Sequence, residues 1–376
     1  MNPPLPPSLD PRPWLSRPPP TDREVAAALT SEAPDEGAFL ALLRADPGRH
    51  LETMARRARE LTRRHFGNAI ALYAPLYLSD FCPGGCAYCG FASDRGRRRR
   101  RLEEPELSAE LDALKGMGFE QILLLTGERT PQADFDYLLA CVGRAAGRFH
   151  DVAVESFPMG MDEYRALVRA GCNGVTLYQE TYDPALYARF HRWGPKRDYA
   201  TRLAAPSRAL EAGMRQVGLG ALLGLGDPIF DALALWRHVR DLETRFWRAG
   251  VAVSFPRVRR EAGGFEPPHP VGDRLLAQIV FAFRIALPDT PLVLSTREAP
   301  ALRDGLAGVG ISRMSAASRT TVGGYSSGAP DDAARQFDVC DTRDVKTFCA
   351  ALRARGFDPV FKNDDAVYRD ATEAVA

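Results

Sequence analysis

The sequence has no run of about 18 apolar residues, so it offers no helix able to cross a membrane. It has almost no net charge: 49 Lys and Arg against 48 Asp and Glu leave +1, which excludes general polyanion binding. The first residues carry no basic stretch followed by an apolar core, so no secretory leader is expected there. Histidine is scarce, with 6 in 376 residues, and cysteine numbers only 7. Cys141, Cys172, Cys340 and Cys349 are scattered and read as small buried hydrophobes rather than disulfide partners. This thiol usage fits a reducing cytoplasm.

The other three cysteines are clustered. Cys82, Cys86 and Cys89 stand in FCPGGCAYCGF with the spacing C-x3-C-x2-C. Three thiolates do not complete a tetrahedral structural zinc site. They can hold three irons of a four-iron cluster and leave the fourth open to a small molecule. Zinc with a distant fourth ligand is the competing reading, but the nearest downstream histidine is His150. Tyr88 precedes the third cysteine, where an aromatic side chain can lie near a ligand's ring. Gly84, Gly85 and Gly90 let backbone wrap closely around a bulky core.

The chain around this loop has a rhythm. Apolar strand-like runs recur at 71–79, 121–126, 151–156, 174–179, 215–224, 251–256, 291–295 and 310–316, separated by amphipathic helical stretches. Alternation at this spacing predicts right-handed parallel units and an α/β fold of the (βα)8 barrel type. The expected organisation is a proline-rich arm with N-terminal helices over 1–66 and a half-barrel with the cysteine loop over 67–232. The remaining barrel strands fill 233–345, and a C-terminal helix and tail occupy 346–376. The arm, residues 1–20, is expected to run extended because proline opposes helix.

In such a barrel the ends of the strands carry function. Thr126-Gly127-Glu128 follows the second strand; the glycine admits a ligand and Glu128 can accept from a cationic amino group. The polar run 179–183, with Glu180 and Tyr182, suits a polar substrate or nucleoside, or is an exposed capping loop. Gly218 and Gly220 lie in a glycine-rich run that lacks lysine and is no phosphate loop, but whose backbone can pair with a flat adenine edge. Arg257, Arg297 and Ser318 stand at later strand ends, and an arginine rim suits a carboxylate-bearing substrate. Arg95 and Arg97 to Arg101 form a basic run that reads as a solvated face or a docking patch for an acidic electron carrier.

The cysteine run and TGE resemble the radical S-adenosylmethionine superfamily. YQETYD (178–183), HRWGPKRDYATRL (191–203), GLGALLGL (218–225), SFPR (254–257), LSTRE (294–298), MSAASRT (314–320) and GGY with QF (323–325, 336–337) together resemble its 2-iminoacetate synthases. The resemblance covers roughly residues 50 to 362. It departs at GDPIFDA (226–232) and DVCDTRD (338–344). It implies a [4Fe-4S] cluster on Cys82, Cys86 and Cys89, with S-adenosylmethionine chelating the open iron. Glu128 would meet the cofactor's amino group, with Tyr88, Gly127 and Glu180 nearby and the Gly218–Gly220 strand near the adenine. Tyr182, Arg257, Arg297 and Ser318 are the substrate-pocket candidates. The implied reaction is cleavage of L-tyrosine at Cα–Cβ into 2-iminoacetate and p-cresol for thiamine biosynthesis. The 233–345 stretch would be the biotin and thiamin synthesis-associated region. Implied partners are a thiazole synthase and a flavodoxin or ferredoxin, with neither nucleic acid nor membrane. A tryptophan lyase, a hydrogenase-maturation lyase and a non-catalytic iron–sulfur protein are the alternatives.

Overall fold

The computed structural model describes residues 3–261, 263–326 and 334–362. Four helices precede the first strand: α1 (Arg12–Leu15), α2 (Asp22–Thr30), α3 (Glu36–Leu43) and α4 (Pro47–Phe66). The barrel strands are β1 (Ala69–Tyr77), β2 (Gln121–Leu125), β3 (Asp151–Glu155), β4 (Gly174–Thr176), β5 (Gln216–Gly220), β6 (Gly250–Ser254), β7 (Leu292–Leu294) and β8 (Arg313–Ser315). Between them run α5 (Glu104–Gly116), α6 (Phe135–Ala146), α7 (Met161–Arg169), α8 (Pro184–Phe190), α9 (Tyr199–Glu211), α10 (Pro228–Arg245), α11 (Asp273–Ala286) and α12 (Pro300–Leu306). The chain continues through α13 (Val345–Ala354) to β9 (Asp358–Val360).

All the barrel pairings are parallel, and β1 closes the ring. Its Ala74–Tyr77 half lies beside Ile122–Leu125 of β2, and Ala71–Tyr73 lies beside Arg313–Ser315 of β8. The eight expected strands therefore form the expected barrel.

Local chemistry sets the helix starts. Asp35, Asp46, Asp134, Asp183, Asp198, Asp227 and Asp344 each accept a backbone N–H of the first turn. At Asp46-Pro47, Asp183-Pro184 and Asp227-Pro228 the proline that follows has no N–H to leave unsatisfied. Gly118 and Gly171 take positive φ (90° and 94°) just past α5 and α7, a conformation that costs other residues a Cβ clash.

Inside the barrel Tyr73, Leu123, Ala153, Ala252 and Val293 pack together, and Arg313 pairs with Asp151 at 3.6 Å. A small cavity remains among them, and a second opens toward the C-terminal ends of the strands, where barrel enzymes work.

Three expectations are corrected. The arm is not wholly extended: RPWL forms the short helix α1, and Leu5 and Leu9 are buried. Arg237 holds the arm by donating to the Asp10 carbonyl at 2.6 Å. The C-terminal stretch is more than helix and tail, because β9 pairs with Ala69–Ala71 of β1. Its residues 363–376 lie outside the described chain. Cys340 is exposed, not buried.

The N-terminal helices are fastened to the barrel by packing and by backbone capping. Phe39 of α3 is fully buried, stacked on Trp236 at 5.3 Å and edge-on to Phe283 at 5.0 Å. Gln278 of α11 donates its amide to the carbonyls of Leu42, Leu43 and Ala45, at 3.0, 3.1 and 2.9 Å. Phe39→Ala is expected to cost about 3–5 kcal/mol, read as a lower midpoint in urea unfolding.

Candidate active site

The cysteine loop leaves β1 at Asp80 and lies across the C-terminal mouth of the barrel. It is zipped to the segment after α8: Gly85 N–H donates to Trp193 O at 3.0 Å and Ala87 N–H to Phe190 O at 2.9 Å. The Trp193 indole occupies the space of a side chain at Gly85, where a Cβ would lie 2.3 Å from the ring. That close approach requires glycine.

The arginine run is not a solvated face. Its odd-numbered members turn inward. Arg97 pairs with Asp80 at 2.7 Å and donates to the Ala334 carbonyl at 2.6 Å. Arg99 donates to the carbonyls of Asp80 and Phe91, both at 2.6 Å, and of Ala92 at 2.5 Å. Arg95 joins Glu261 at 3.0 Å and the Ala87 carbonyl at 3.0 Å. Arg98 and Arg100 remain exposed.

Cys82, Cys86 and Cys89 open onto one cavity with Tyr88, Gly127, Glu128, Glu180 and Arg297. Glu155, Tyr178, Lys196, Arg202, Arg259, Gln336 and Phe337 complete its polar and aromatic walls, and Leu222, Pro256 and Val258 an apolar one. Burial raises the Cys82 and Cys86 thiols, so without a metal they stay protonated. Backbone N–H groups of Glu128 and Phe91 reach the sulfurs of Cys82 and Cys89, each at 3.4 Å.

Most charges in this cavity are committed to each other. Glu180 accepts from Lys196 at 2.5 Å and faces Arg202 at 3.6 Å. Burial opposes its ionisation, but these two cations overcome that and hold its carboxyl below the usual range. Glu128 meets Arg202 through Oε1 at 3.4 Å, while its Oε2 is buried and has no partner. Burial raises the Glu128 carboxyl. His191 accepts the Tyr88 hydroxyl at Nε2 (2.7 Å) and donates from Nδ1 to the Tyr187 carbonyl (2.8 Å). Burial lowers its pKa to about 3, so the neutral ring serves as a fixed acceptor for Tyr88.

Several expected site residues lie elsewhere. Tyr182 is fully buried in the wall behind the cavity, its hydroxyl 2.9 Å from His238 Nδ1. Arg257 is consumed by Glu298 and Asp273 and by the Val271 carbonyl, leaving no fork for a carboxylate. Ser318 bonds Ser315 at 3.2 Å and lines a separate cavity with Arg319 and Arg343. Gly218 and Gly220 make room for neighbours: a Cβ would stand 2.6 Å from Thr176 Oγ1 and from the Tyr178 ring, respectively. Leu222 reaches the cavity from that run instead.

Glu155, Tyr178, Lys196, Arg202 and Gln336 line the cavity and are not among the expected site residues. Glu155 carried a usable signal, since it ends a strand as Glu128 nearly does. Lys196, Arg202 and Gln336 come from a 3₁₀ turn, a helix and a late segment, where sequence gives no direction.

The radical SAM superfamily model matches residues 76–235, and the biotin and thiamin synthesis associated domain matches residues 255–358. The 2-iminoacetate synthase of Escherichia coli (strain K12) is 38% identical over 354 residues, covering 94% of this chain and 93% of that protein. The chain belongs to the 2-iminoacetate synthase family of radical SAM enzymes. The FeFe-hydrogenase maturase HydG from Carboxydothermus hydrogenoformans superposes with a TM-score of 0.85 at 32% identity, over 92% of this chain and 80% of that one. Methylornithine synthase shares the fold at a TM-score of 0.72 and 21% identity, over 92% and 99% of the two chains.

The residues fit the family's cofactors. Among the described residues no group of three His, Cys, Asp or Glu is set to hold a single metal ion. Three thiols lining one cavity are a donor set that suits three irons of a four-iron cluster and leaves the fourth open. The orphaned Glu128 Oε2 is an acceptor awaiting a donor. A Cβ at Gly127 would fall 2.4 Å from Phe81 O and 2.7 Å from Cys82 Cβ. Gly127→Ala is therefore expected to displace Cys82 and lower the iron and sulfide bound per chain. Gly143→Ala, with nothing within 4 Å of its new methyl, is expected to leave both unchanged.

Proposed function

We propose that this chain cleaves the Cα–Cβ bond of L-tyrosine, giving 2-iminoacetate and p-cresol for thiazole formation in thiamine biosynthesis. The observation that carries this reading is the match to the Escherichia coli 2-iminoacetate synthase across 94% of the chain, which runs through the cysteine loop and the whole barrel. Cys82, Cys86 and Cys89 are the ligands for a [4Fe-4S] cluster, and Glu128 Oε2 is the acceptor for the amino group of S-adenosylmethionine. When bound, these cofactors would supply the one-electron chemistry that no side chain provides.

The chain's own residues position and shield. Tyr88, fixed by its hydrogen bond to His191, presents a ring beside the cysteines. The ion pairs Lys196–Glu180 and Arg202–Glu128 hold the wall rigid before any ligand arrives. Phe337, stacked under the Arg297 guanidinium at 3.4 Å, lends an aromatic face to the same cavity.

An imine hydrolyses in water, so direct hand-over to a thiazole synthase follows as part of this reading, with a flavodoxin or ferredoxin as electron donor and the cytoplasm as setting. No described helix is long and apolar enough to cross a membrane. The test is anaerobic incubation of the reduced, cluster-loaded protein with S-adenosylmethionine and L-tyrosine. Both 5′-deoxyadenosine and p-cresol are expected, and Cys86→Ser should abolish both. Absence of 5′-deoxyadenosine would overturn the radical chemistry; 5′-deoxyadenosine without p-cresol would overturn tyrosine as substrate.

A further inference from the structure

The cavity's charges divide into those already paired and those left over. Glu180 is spent on Lys196 and Arg202, Arg202 on Glu128 and Glu180, and Arg259 on Glu298 at 2.6 Å. Glu128 keeps one oxygen free. Two further groups remain. The Glu155 carboxylate, at the inward-facing last position of β3, makes no side-chain hydrogen bond or ion pair among the described residues. Arg297 rests its guanidinium on Phe337 and donates a single long bond, 3.4 Å, to the Arg257 carbonyl. Their charges act on each other, and both act on the Tyr77 and Tyr178 rings, so they share one region of the cavity.

Resting on the tyrosine-lyase reading, two amino acids must be held at once: the methionine part of the cofactor and the substrate. Each carries an ammonium and a carboxylate. Glu128 Oε2 serves the first ammonium. We propose that Glu155 receives the α-ammonium of the substrate and takes a proton from it, while Arg297 receives the substrate carboxylate. The proton passes from nitrogen to a Glu155 oxygen, leaving a neutral amine and a neutral carboxylic acid, with no electron transferred. The product explains the need. Its C=N bond is built with the nitrogen lone pair, and an ammonium has none to give.

The environment suits that exchange. Burial, reinforced by the charge of Glu180, pushes the Glu155 carboxyl up to about 7. Arg297, Lys196 and Arg202 act in the opposite direction. Tyr73 and Tyr77 of β1 and Tyr178 beyond β4 also face it, and burial keeps all three protonated. A base poised near the working pH is the most effective kind. Glu155 must be ionised to act, so turnover is expected to rise with pH through about 7.

Glu155→Gln keeps the shape and removes the base. It is expected to lower p-cresol formation about 100-fold, within the range for general bases, and to erase the rise through neutral pH. Iron content and the cluster's electron paramagnetic resonance signal should not change, and Glu155→Asp should restore part of the rate. A Gln variant within a few-fold of wild type at every pH would overturn the proposal. A second readout does not depend on turnover. Equilibrium dialysis of the cluster-loaded protein with S-adenosylmethionine compares L-tyrosine with 3-(4-hydroxyphenyl)propanoate, which lacks the amine. Wild type should prefer tyrosine by about tenfold or more, and Glu155→Gln should narrow the gap. No preference in wild type would overturn Glu155 as the amine site. Preference for tyrosine with 5′-deoxyadenosine but no p-cresol would overturn the lyase reading and keep the amine site.

Discussion

The carboxylate of Asp80 is the constraint on which the site depends. It is 1% exposed, where β1 gives way to the cysteine loop. One oxygen takes Arg97 and the other the backbone N–H of Arg100, while its own carbonyl takes Arg99. The loop is thereby closed on itself, with all three cysteines between the tied ends. A buried carboxylate stripped of its partners is far costlier than one never placed there, so this knot resists partial loosening. Arg99 then caps loop carbonyls that would otherwise be dry and unsatisfied.

The barrel was legible because parallel strands covered on both faces read as short apolar runs, and all eight runs became strands. The cysteines were legible from spacing, and Glu128 from its place just beyond a strand. Direction was the part that sequence concealed. Glu180 takes φ +71°, which breaks the in–out alternation after β4 and turns Tyr182 into the core toward His238. Arg257 and Arg297 both follow strand ends, yet Glu298 captures the first, while the second keeps one long bond to the Arg257 carbonyl. The arginine run looked uniform in composition, while its inward and outward faces alternate with residue number.

Paired and unpaired charges have different tasks in this cavity. Lys196–Glu180 and Arg202–Glu128 are internal ties that keep polar walls in place without a ligand. Preorganisation of that kind removes reorganisation from the cost of the reaction. Glu128 Oε2 and Glu155 have no side-chain partner among the described residues, and Arg297 has only the Arg257 carbonyl and the Phe337 ring. Apolar Leu222 and Val258 also line the cavity and place no polar demand on it.

Strand β1 has a temporal consequence. Its first residues pair with β8 and β9, which arrive at residues 313–315 and 358–360. Gln336, whose main chain accepts the Gly90 N–H and whose side chain bonds Tyr77 and approaches Cys89 Sγ at 3.6 Å, is also a late arrival. A chain emerging from the ribosome thus presents its cysteines long before it can shelter them. During that interval the thiols are open to oxidants and to wrong metals.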